Sequence, residues 1–167
     1  MNQLRRKIAL TPFLLLAGCG FRLRGSAEVP FETLYIPNAK SGIGLDLKRN
    51  IEAGTLARVV DDPKQAQAVL QFTQESRGRH ILTLTGAGRV REFELRYLVS
   101  FRVHDGKGGE YVPLSSIELA REMTFTDAQI LAKEAEEQLL FRDMQSDMVQ
   151  QILRRLASAR RPKPRVE

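Results

Sequence analysis

The most constraining feature of the chain is a run of alternating apolar and polar residues, REFELRYLVSFRVHD, from Arg91 to Asp105. Apolar side chains occupy every second position and Leu98 alone breaks the alternation: Phe93, Leu95, Tyr97, Val99, Phe101 and Val103. Because successive side chains of a strand point to opposite faces of a sheet, this pattern predicts a half-buried antiparallel strand about 45 Å long. Such a strand needs long neighbours and a second layer that covers its apolar face.

Glycine-containing turns bound this strand at both ends. Gly86-Ala87-Gly88 precedes it and DGKGG follows it, which predicts a meander of long hairpins. The preceding segments, AVLQFTQESRG and HILTLTG, are interpreted as one long strand in which the glycines indicate a bend or bulge. The following segment, IELAREMTF, continues an apolar face. Together with a brief strand at Leu34–Ile36, the sheet is predicted to have about four strands.

Two segments have helical periodicity. Ile43, Leu47 and Ile51 predict a short amphipathic helix that stops at Gly54. A long helix is predicted from about Asp127 to Ala157, because apolar residues recur there at helical spacing: Leu131, Ala135, Leu139, Leu140, Met144, Met148, Ile152 and Leu156. Thr126 and Gln129 have the spacing of a capping box at its start. At 1.5 Å per residue this helix would be about 45 Å long, which matches the strands.

These elements predict an α+β fold organised as a two-layer sandwich. A four-stranded, mostly antiparallel sheet with long strands would be covered on one face by the two helices. The single domain is expected to span residues 29–159. Residues 160–167 are charged and contain two prolines, so they are expected to form a disordered basic tail.

The N-terminal segment has the layout of a secretory signal. A basic start at Arg5–Lys7 precedes the apolar stretch Ile8–Leu16, which is shorter than the roughly 20 apolar residues that span a bilayer. Leu16-Ala17-Gly18-Cys19 resembles the lipobox of bacterial lipoproteins. Residues 1–18 are therefore expected to be a lipoprotein signal peptide, and Cys19 is expected to carry a covalent lipid. An ordinary signal peptide with a chance cysteine is the alternative.

The residue after the predicted lipid anchor indicates which membrane holds the mature chain. Gly20 follows Cys19, where an Asp would tend to retain a lipoprotein in the inner membrane, so the sequence favours lipid anchoring at the periplasmic side of the outer membrane. Residues 19–28 would form a lipidated N-terminal linker. Cys19 is the only cysteine, so its lipidation leaves no thiol for a disulfide or a cysteine metal site.

The excess of basic residues lies in the leader and near the C-terminus. The full chain carries 26 basic and 20 acidic residues, but three of the basic residues belong to the leader. Six more lie near the C-terminus: Arg154, Arg155, Arg160, Arg161, Lys163 and Arg165. A nucleic-acid-binding domain is therefore not expected.

Motifs for catalysis or metal binding are scarce. His80 and His104 lack the spacing of metal ligands, and GAGRVR and GIGLDL lack the third glycine of a dinucleotide loop. Ser115 and Ser116 have no nucleophile-elbow context. The carboxylate pairs are interpreted as solvated charges. The sequence predicts neither an enzyme nor a metal site.

Three blocks of the chain together resemble one known family. CGFRLRG at the lipobox, GRVREFELRYLVSFRVHD in the middle and LAKEAEEQLLFRDMQSDMVQQILRRL near the end look like the LPS-assembly lipoprotein LptE (RlpB) family. The resemblance implies two helices on a four-stranded sheet, no cofactor besides the covalent lipid, and a non-enzymatic role. Members of this family sit as a plug inside the large outer-membrane β-barrel LptD, assist its assembly, and contact lipopolysaccharide on its way to the outer leaflet.

The resemblance also implies a basic contact site, because lipopolysaccharide carries phosphates. Lys133 matches the Lys of the family's LAK motif, and Arg89 and Arg91 flank the hairpin turn near which the family has a basic residue. Arg77 and Arg79 are weaker candidates. Solvated surface charge is the alternative for each, and Lys133 could pair with Glu137 at i+4. The alternative for the whole protein is a freestanding envelope lipoprotein that acts as a structural or binding module.

Overall fold

Five strands form one mixed sheet in the computed structural model, which describes residues 28–126 and 129–162. Two helices and a short 3-10 turn at Pro63–Gln65 complete it. The elements are, in chain order, β1 (Thr33–Tyr35), α1 (Gly42–Gly54), β2 (Arg58–Val60), β3 (Ala68–Leu84), β4 (Val90–His104), β5 (Glu110–Thr124) and α2 (Ile130–Ala157). The predicted signal peptide, Cys19 with most of the linker, and residues 163–167 of the tail lie outside the described residues.

The sheet has the strand order β2-β1-β3-β4-β5. β3, β4 and β5 form the predicted antiparallel meander, whereas β1 pairs in parallel with both β2 and β3. The α+β class is confirmed, but the expected count of four strands is wrong. The missed strand is β2, which is only three residues long and begins with an exposed Arg58. Three residues are too few for a period-two pattern to be recognised.

β3 is one continuous strand of 17 residues, as the two extended segments suggested. Its irregularities do not lie at Gly78, which pairs in regular register with Arg96. The register with β4 shifts instead between Phe72 and Gln74 and again after Ile81. The glycine therefore marks neither bulge, and the expectation of a glycine bulge is wrong at this position.

The core lies between the sheet and the two helices, which cover the same face. The alternating residues of β4 are fully buried from Leu95 to Val103. Opposite them lie apolar side chains of both helices: Ile43, Leu47, Ile51, Met144, Met148, Val149, Ile152 and Leu156. Each large apolar side chain contributes about 1.5–3 kcal/mol by leaving water, so this contact fixes the layers. α1 packs so closely at Gly44 that a Cβ there would lie 2.7 Å from the carbonyl oxygens of Pro37 and Asn38.

α2 differs from its prediction in two ways. It begins at Ile130 with Gln129 as its N-cap, so Thr126 does not cap it, and Asp127 lies outside the described residues. The predicted apolar stripe of its first turns does not reach the core, since Leu131 is 81 % exposed and Leu139 51 % exposed. Beside this stretch, the helix-facing side of β3 carries charged residues in place of apolar ones: Glu75, Arg77 and Arg79.

A polar network joins the two layers where the apolar core ends. The hydroxyl of Tyr97 on β4 donates to Glu75 Oε1 at 2.7 Å and accepts from the Arg77 guanidinium at 3.0 Å. Arg77 also donates to Gln145 on α2, and Gln145 donates to Asp46 on α1. Burial, and then the hydrogen bond to Glu75, raise the pKa of Tyr97 to about 12. The network therefore ties both helices to the sheet.

Both edges of the sheet carry features that hinder further strand pairing. One edge is the three-residue β2. At the other edge, β5, Arg155 of α2 donates to the Ser116 carbonyl oxygen at 3.0 Å, and Arg121 donates to the Ala120 carbonyl oxygen at 3.1 Å. Pro113 removes one backbone donor from the same strand. We call this arrangement the capped edge.

Candidate functional site

The tight turn between β3 and β4 positions the predicted arginines. Thr85 N–H donates to the Arg89 carbonyl oxygen at 2.7 Å, and the Thr85 hydroxyl accepts from the Arg89 N–H at 3.1 Å. Gly88 completes the turn with a φ of 77°, a value that favours glycine. Arg89 therefore lies at the base of the turn and Arg91 at the start of β4, both with exposed side chains.

Strand register brings the end of β5 and the start of α2 to the same place. Thr124 pairs with Glu92, and Phe125 N–H donates to the Arg91 carbonyl oxygen at 2.8 Å. Lys133, in the first turn of α2, donates from Nζ to Thr124 Oγ1 at 3.1 Å. Arg89, Arg91 and Lys133 therefore lie at one end of the molecule. We call this end, formed by the β3–β4 turn, the end of β5 and the first turn of α2, the hairpin end.

Lys133 is held in place by two neighbours. Besides Thr124, its ammonium group contacts Glu136 Oε2 at 2.8 Å, so its partner is at i+3 and the suggested pairing with Glu137 is wrong. The side chain is only 15 % exposed, which leaves its stem covered and its head at the surface. An ammonium group has three donors, and contacts with described residues use two of them, which leaves one donor for an anionic ligand as far as the described residues go.

The two weaker candidates have structural partners in the gap between β3 and α2. Arg79 contacts Glu137 Oε2 at 3.2 Å and lies over the Phe93 ring at 5.1 Å. Arg77 belongs to the Tyr97 network. Both arginines line an open cleft of about 440 Å³, whose other walls are Gly78, Glu134, Glu137, Gln138 and Phe141. Their charges are largely satisfied within the chain, so they are less suited to ligand binding than the hairpin-end residues.

Exposed apolar side chains accompany the basic residues at the hairpin end. They are Ile81, Leu82 and Leu84 of β3 and Ile130 and Leu131 of α2. The sequence analysis missed this component, although HILTLTG contained a signal for it. Ile81 and Leu82 are adjacent, and adjacent residues of a strand point to opposite faces, so at least one of them had to lie away from a one-sided core.

The hairpin end is suited to binding and not to covalent chemistry. It presents cationic donors beside uncovered apolar surface, which is the complement of an amphiphile that carries both anionic groups and hydrocarbon. In the described part of the chain, no group of three or more His, Cys, Asp or Glu side chains could hold a metal ion. No helix among the described residues is long and apolar enough to cross a membrane.

Known proteins support this interpretation at the level of the family. The model of the lipopolysaccharide-assembly LptE family matches residues 29–156. The LPS-assembly lipoprotein LptE of Pectobacterium atrosepticum is 24 % identical over 147 residues, which cover 86 % of this chain and 79 % of that protein. The LPS-assembly lipoprotein LptE of Photorhabdus laumondii is 26 % identical over 146 residues, with the same coverage.

Solved structures show the same fold. A lipoprotein B of Nitrosomonas europaea is 47 % identical with a TM-score of 0.69, and the match covers 81 % of this chain and 88 % of that one. The rare lipoprotein B of Shewanella oneidensis is 26 % identical with a TM-score of 0.64, over 75 % of this chain and 94 % of that one. The family match also confirms that the protein is not an enzyme. The chain belongs to the lipopolysaccharide-assembly LptE family.

Proposed function

We propose that this protein is an outer-membrane lipoprotein that plugs and helps to assemble the β-barrel LptD, and that it contacts lipopolysaccharide during transport to the outer leaflet. A covalent lipid on Cys19 anchors it at the periplasmic side of the membrane. Lipopolysaccharide binds at the hairpin end through Arg89, Arg91 and Lys133. The relatives named LPS-assembly lipoprotein support the general role.

The observation that best supports the lipopolysaccharide contact is that Arg91 and Lys133 lie at the same end of the domain, the hairpin end. These residues are 42 positions apart in the sequence, and the β4–β5 register and the Lys133–Thr124 hydrogen bond bring their segments together. Lipid A carries phosphates and acyl chains, so it would use both the cationic donors and the adjacent apolar surface. A phosphate oxygen is a strong acceptor for the remaining Lys133 donor.

The outer face of the sheet supports the plug. This face is polar: Arg96 contacts Glu94 and lies 3.8 Å from Glu118, and Arg102 donates to Gln71 at 2.7 Å. A barrel with many strands leaves a lumen that its own side chains cannot fill. A domain with an internally paired polar face could occupy such a lumen and exchange water contacts for hydrogen bonds with its wall.

Binding of purified lipopolysaccharide tests the contact site. We expect Lys133→Glu and Arg91→Glu each to weaken binding by about tenfold or more, because each removes a charge-assisted hydrogen bond of about 1.5–3 kcal/mol. Arg142→Glu is the matched control, since Arg142 is an exposed residue of α2 outside the hairpin end. Lys133→Met tests the loss of the charge without a new repulsion towards Glu136. Unchanged affinity in all three hairpin-end variants would exclude the site.

A mild-detergent pull-down of the lipidated protein tests the barrel partner. We expect an outer-membrane barrel of large size to be recovered in stoichiometric amount, and mass spectrometry would identify it. Recovery of the lipoprotein alone would reject a stable plug and would favour a freestanding envelope lipoprotein.

A further inference from the structure

β3 extends far beyond the strand that lies beside it. β1 pairs with β3 only at Ala68 and Val69, although β3 continues to Leu84. On its other side, β3 pairs with β4 along nearly its whole length. Within the described part of the chain, no strand lies next to the stretch from Gln71 to Leu84 on the side away from β4. We call the free side of this stretch the open edge.

The backbone of the open edge has unused hydrogen-bonding capacity. In an antiparallel pair, every second residue exchanges its backbone hydrogen bonds with the partner strand, and the residues between them direct their N–H and C=O groups to the other side. The segment from Gln74 to Ile81 pairs with β4 without a register shift. Its outward-directed groups therefore form a regular row about 26 Å long. A typical strand has about five or six residues, so this row could accommodate a whole added strand.

The first half of α2 leaves the open edge accessible. A cleft of about 440 Å³ lies between them, with Arg77 and Arg79 on the strand side and Glu134 and Glu137 on the helix side. Arg79 and Glu137 form an ion pair at 3.2 Å. The charges of these four residues cancel. A strand added to β3 would direct alternate side chains towards this cleft, which therefore suits polar side chains without a net charge.

The other face of the open edge has room for larger side chains. Gly78 and His80 pair with Arg96 and Glu94 of the polar outer face, and Ser76 lies on the same face. A Cβ at Gly78 would meet no atom within 4 Å. A large side chain on a neighbouring strand can cover such a glycine. The two faces therefore favour different side chains at alternate positions of an added strand.

The proposed plug would place this edge where water is scarce. A domain that fills a lumen displaces water from its surface, and a backbone N–H or C=O group that loses water without gaining a partner costs free energy. A row of such groups is matched by the backbone of another extended segment. The capped edge is less suited to this pairing, because Arg155 occupies the Ser116 carbonyl oxygen and Pro113 has no N–H group.

We propose that an extended segment of the barrel partner pairs with the open edge and becomes the sixth strand of this five-stranded sheet. Polar side chains of this segment face the cleft beside Arg79, and a large side chain covers Gly78 on the outer face. The inference deepens the proposed function and rests on the barrel partnership stated there. Backbone pairing would fix the register of the domain inside the lumen, which side-chain contacts alone specify less strictly.

Hydrogen exchange tests the added strand in the lipidated full-length protein, alone and in the co-purified barrel complex. In the protein alone, every second amide from Gln74 to Ile81 should exchange rapidly, because only the amides directed to β4 are hydrogen-bonded. In the complex, these rapid amides should slow by about 100-fold or more. The amides of β5 between Ser116 and Arg121 that point away from β4 are the matched control, and should slow by less than about tenfold. Mass spectrometry at single-residue resolution measures both.

Site-specific photo-crosslinking identifies the added segment. Benzoylphenylalanine at the exposed Ser76 or His80 should crosslink to one segment of the barrel protein. The two crosslinked positions of that segment should lie about four residues apart, because paired strands have the same rise per residue. The same label at Leu114, an exposed residue of β5, should give no crosslink to this segment.

Three results would overturn the added strand and leave the barrel partnership standing. The first is a complex in which the rapid amides of β3 keep their exchange rate. The second is slow exchange of the same amides in the protein alone, which would assign the open edge to another part of this chain, or to a second copy if the slowing depends on concentration. The third is crosslinks from Ser76 and His80 to unrelated segments. Failure to recover any barrel would instead reject the proposed partnership together with this inference.

Discussion

Tyr97 shows how one side chain connects the layers of this domain. Its ring is fully buried in the core, whereas its hydroxyl reaches the polar network with Glu75 and Arg77. The Arg77 guanidinium also lies over the Tyr97 ring, 4.3 Å from its centroid. A buried hydroxyl needs hydrogen-bond partners, and here the partners in turn hold both helices.

Removal of this hydroxyl is expected to destabilise the domain modestly. Tyr97→Phe should lower the free energy of unfolding by about 1–2 kcal/mol, because Glu75 and Arg77 keep each other as partners at 3.6 Å. Tyr35→Phe is the matched control, with an expected change within about 0.5 kcal/mol, since the Tyr35 ring is only half-buried. Urea denaturation measures both. Equal effects of the two substitutions would mean that the network contributes nothing to stability.

The same residue predicts a loss of stability at alkaline pH. Between the ordinary tyrosine pKa of 10.0 and the raised pKa of about 12, the unfolded chain has lost the phenolic proton while the folded chain retains it. Unfolding then releases a proton, so rising pH favours it. The contribution of Tyr97 is complete below about pH 10 and lost by about pH 12, and amounts to roughly 3 kcal/mol. Between these two pH values, the free energy of unfolding of the wild type should fall by this amount more than that of Tyr97→Phe. Urea denaturation at several pH values measures the difference.

Single residues also show what the sequence could not predict. Lys133 was identified as a ligand candidate, but its contact with Thr124 depends on where β5 ends and α2 begins. Arg79 has its partner 58 positions away on α2. Such pairs arise from the packing of helix on sheet, and a residue pattern in one segment contains no information about them.

At the scale of the element, α2 has two halves with different roles. Its buried residues begin at Met144, and the turns before that residue contain none. The first half is held over the sheet by polar contacts, Lys133 to Thr124 and Arg79 to Glu137. The second half is held by the hydrophobic core.

Alanine substitutions of large side chains in the two halves of α2 should therefore differ strongly in their effect on the free energy of unfolding. Met148→Ala is expected to cost about 2–5 kcal/mol, because it leaves a cavity in the core. Leu139→Ala, in the exposed half, is expected to cost less than about 0.5 kcal/mol. Chemical denaturation measures the difference. Native-state hydrogen exchange should also be faster at residues 131–140 than at 144–156, and equal protection of both segments would contradict the division.

The elements differ in how far the sequence predicts them. β4 was predicted with its buried face because six alternations in one segment specify a strand and the side that faces the core. The stripe from Leu131 to Leu139 predicted a helix correctly, but not what the helix covers, because that depends on Arg77 and Arg79 of another strand. The parallel pairing of β1 with β3 likewise follows from the crossover through α1 and β2, and not from any local pattern.

At the scale of the whole molecule, the long strands separate two ends of the domain. β4 contains 15 residues, so the hairpin end lies about 50 Å from the opposite end, where Arg161 meets Pro30. Basic side chains occur at both ends, with exposed apolar side chains beside them. A lipid on Cys19 would fix one end and leave the other to reach the transported ligand.

This separation predicts the effect of removing the anchor. Cys19→Ala should move protein that is not bound in a barrel from the membrane fraction to the soluble periplasmic fraction, because the lipid is its proposed membrane anchor. The hairpin end is unchanged in this variant, so the purified protein should retain its affinity for lipopolysaccharide. Fractionation by centrifugation with immunoblotting measures the first effect. Persistence of the variant in the membrane fraction of cells depleted of the barrel partner would reject the lipid anchor.

The capped edge has a consequence for the proposed role of the domain in the assembly of a barrel. An unfinished barrel exposes strands whose backbone groups are still unpaired. Any open sheet edge nearby can form hydrogen bonds with these strands. In this domain Arg155 already occupies the Ser116 carbonyl oxygen, and the opposite edge is only three residues long. At these two edges the domain can therefore contact unpaired strands through its side chains without adding a strand of its own to the barrel.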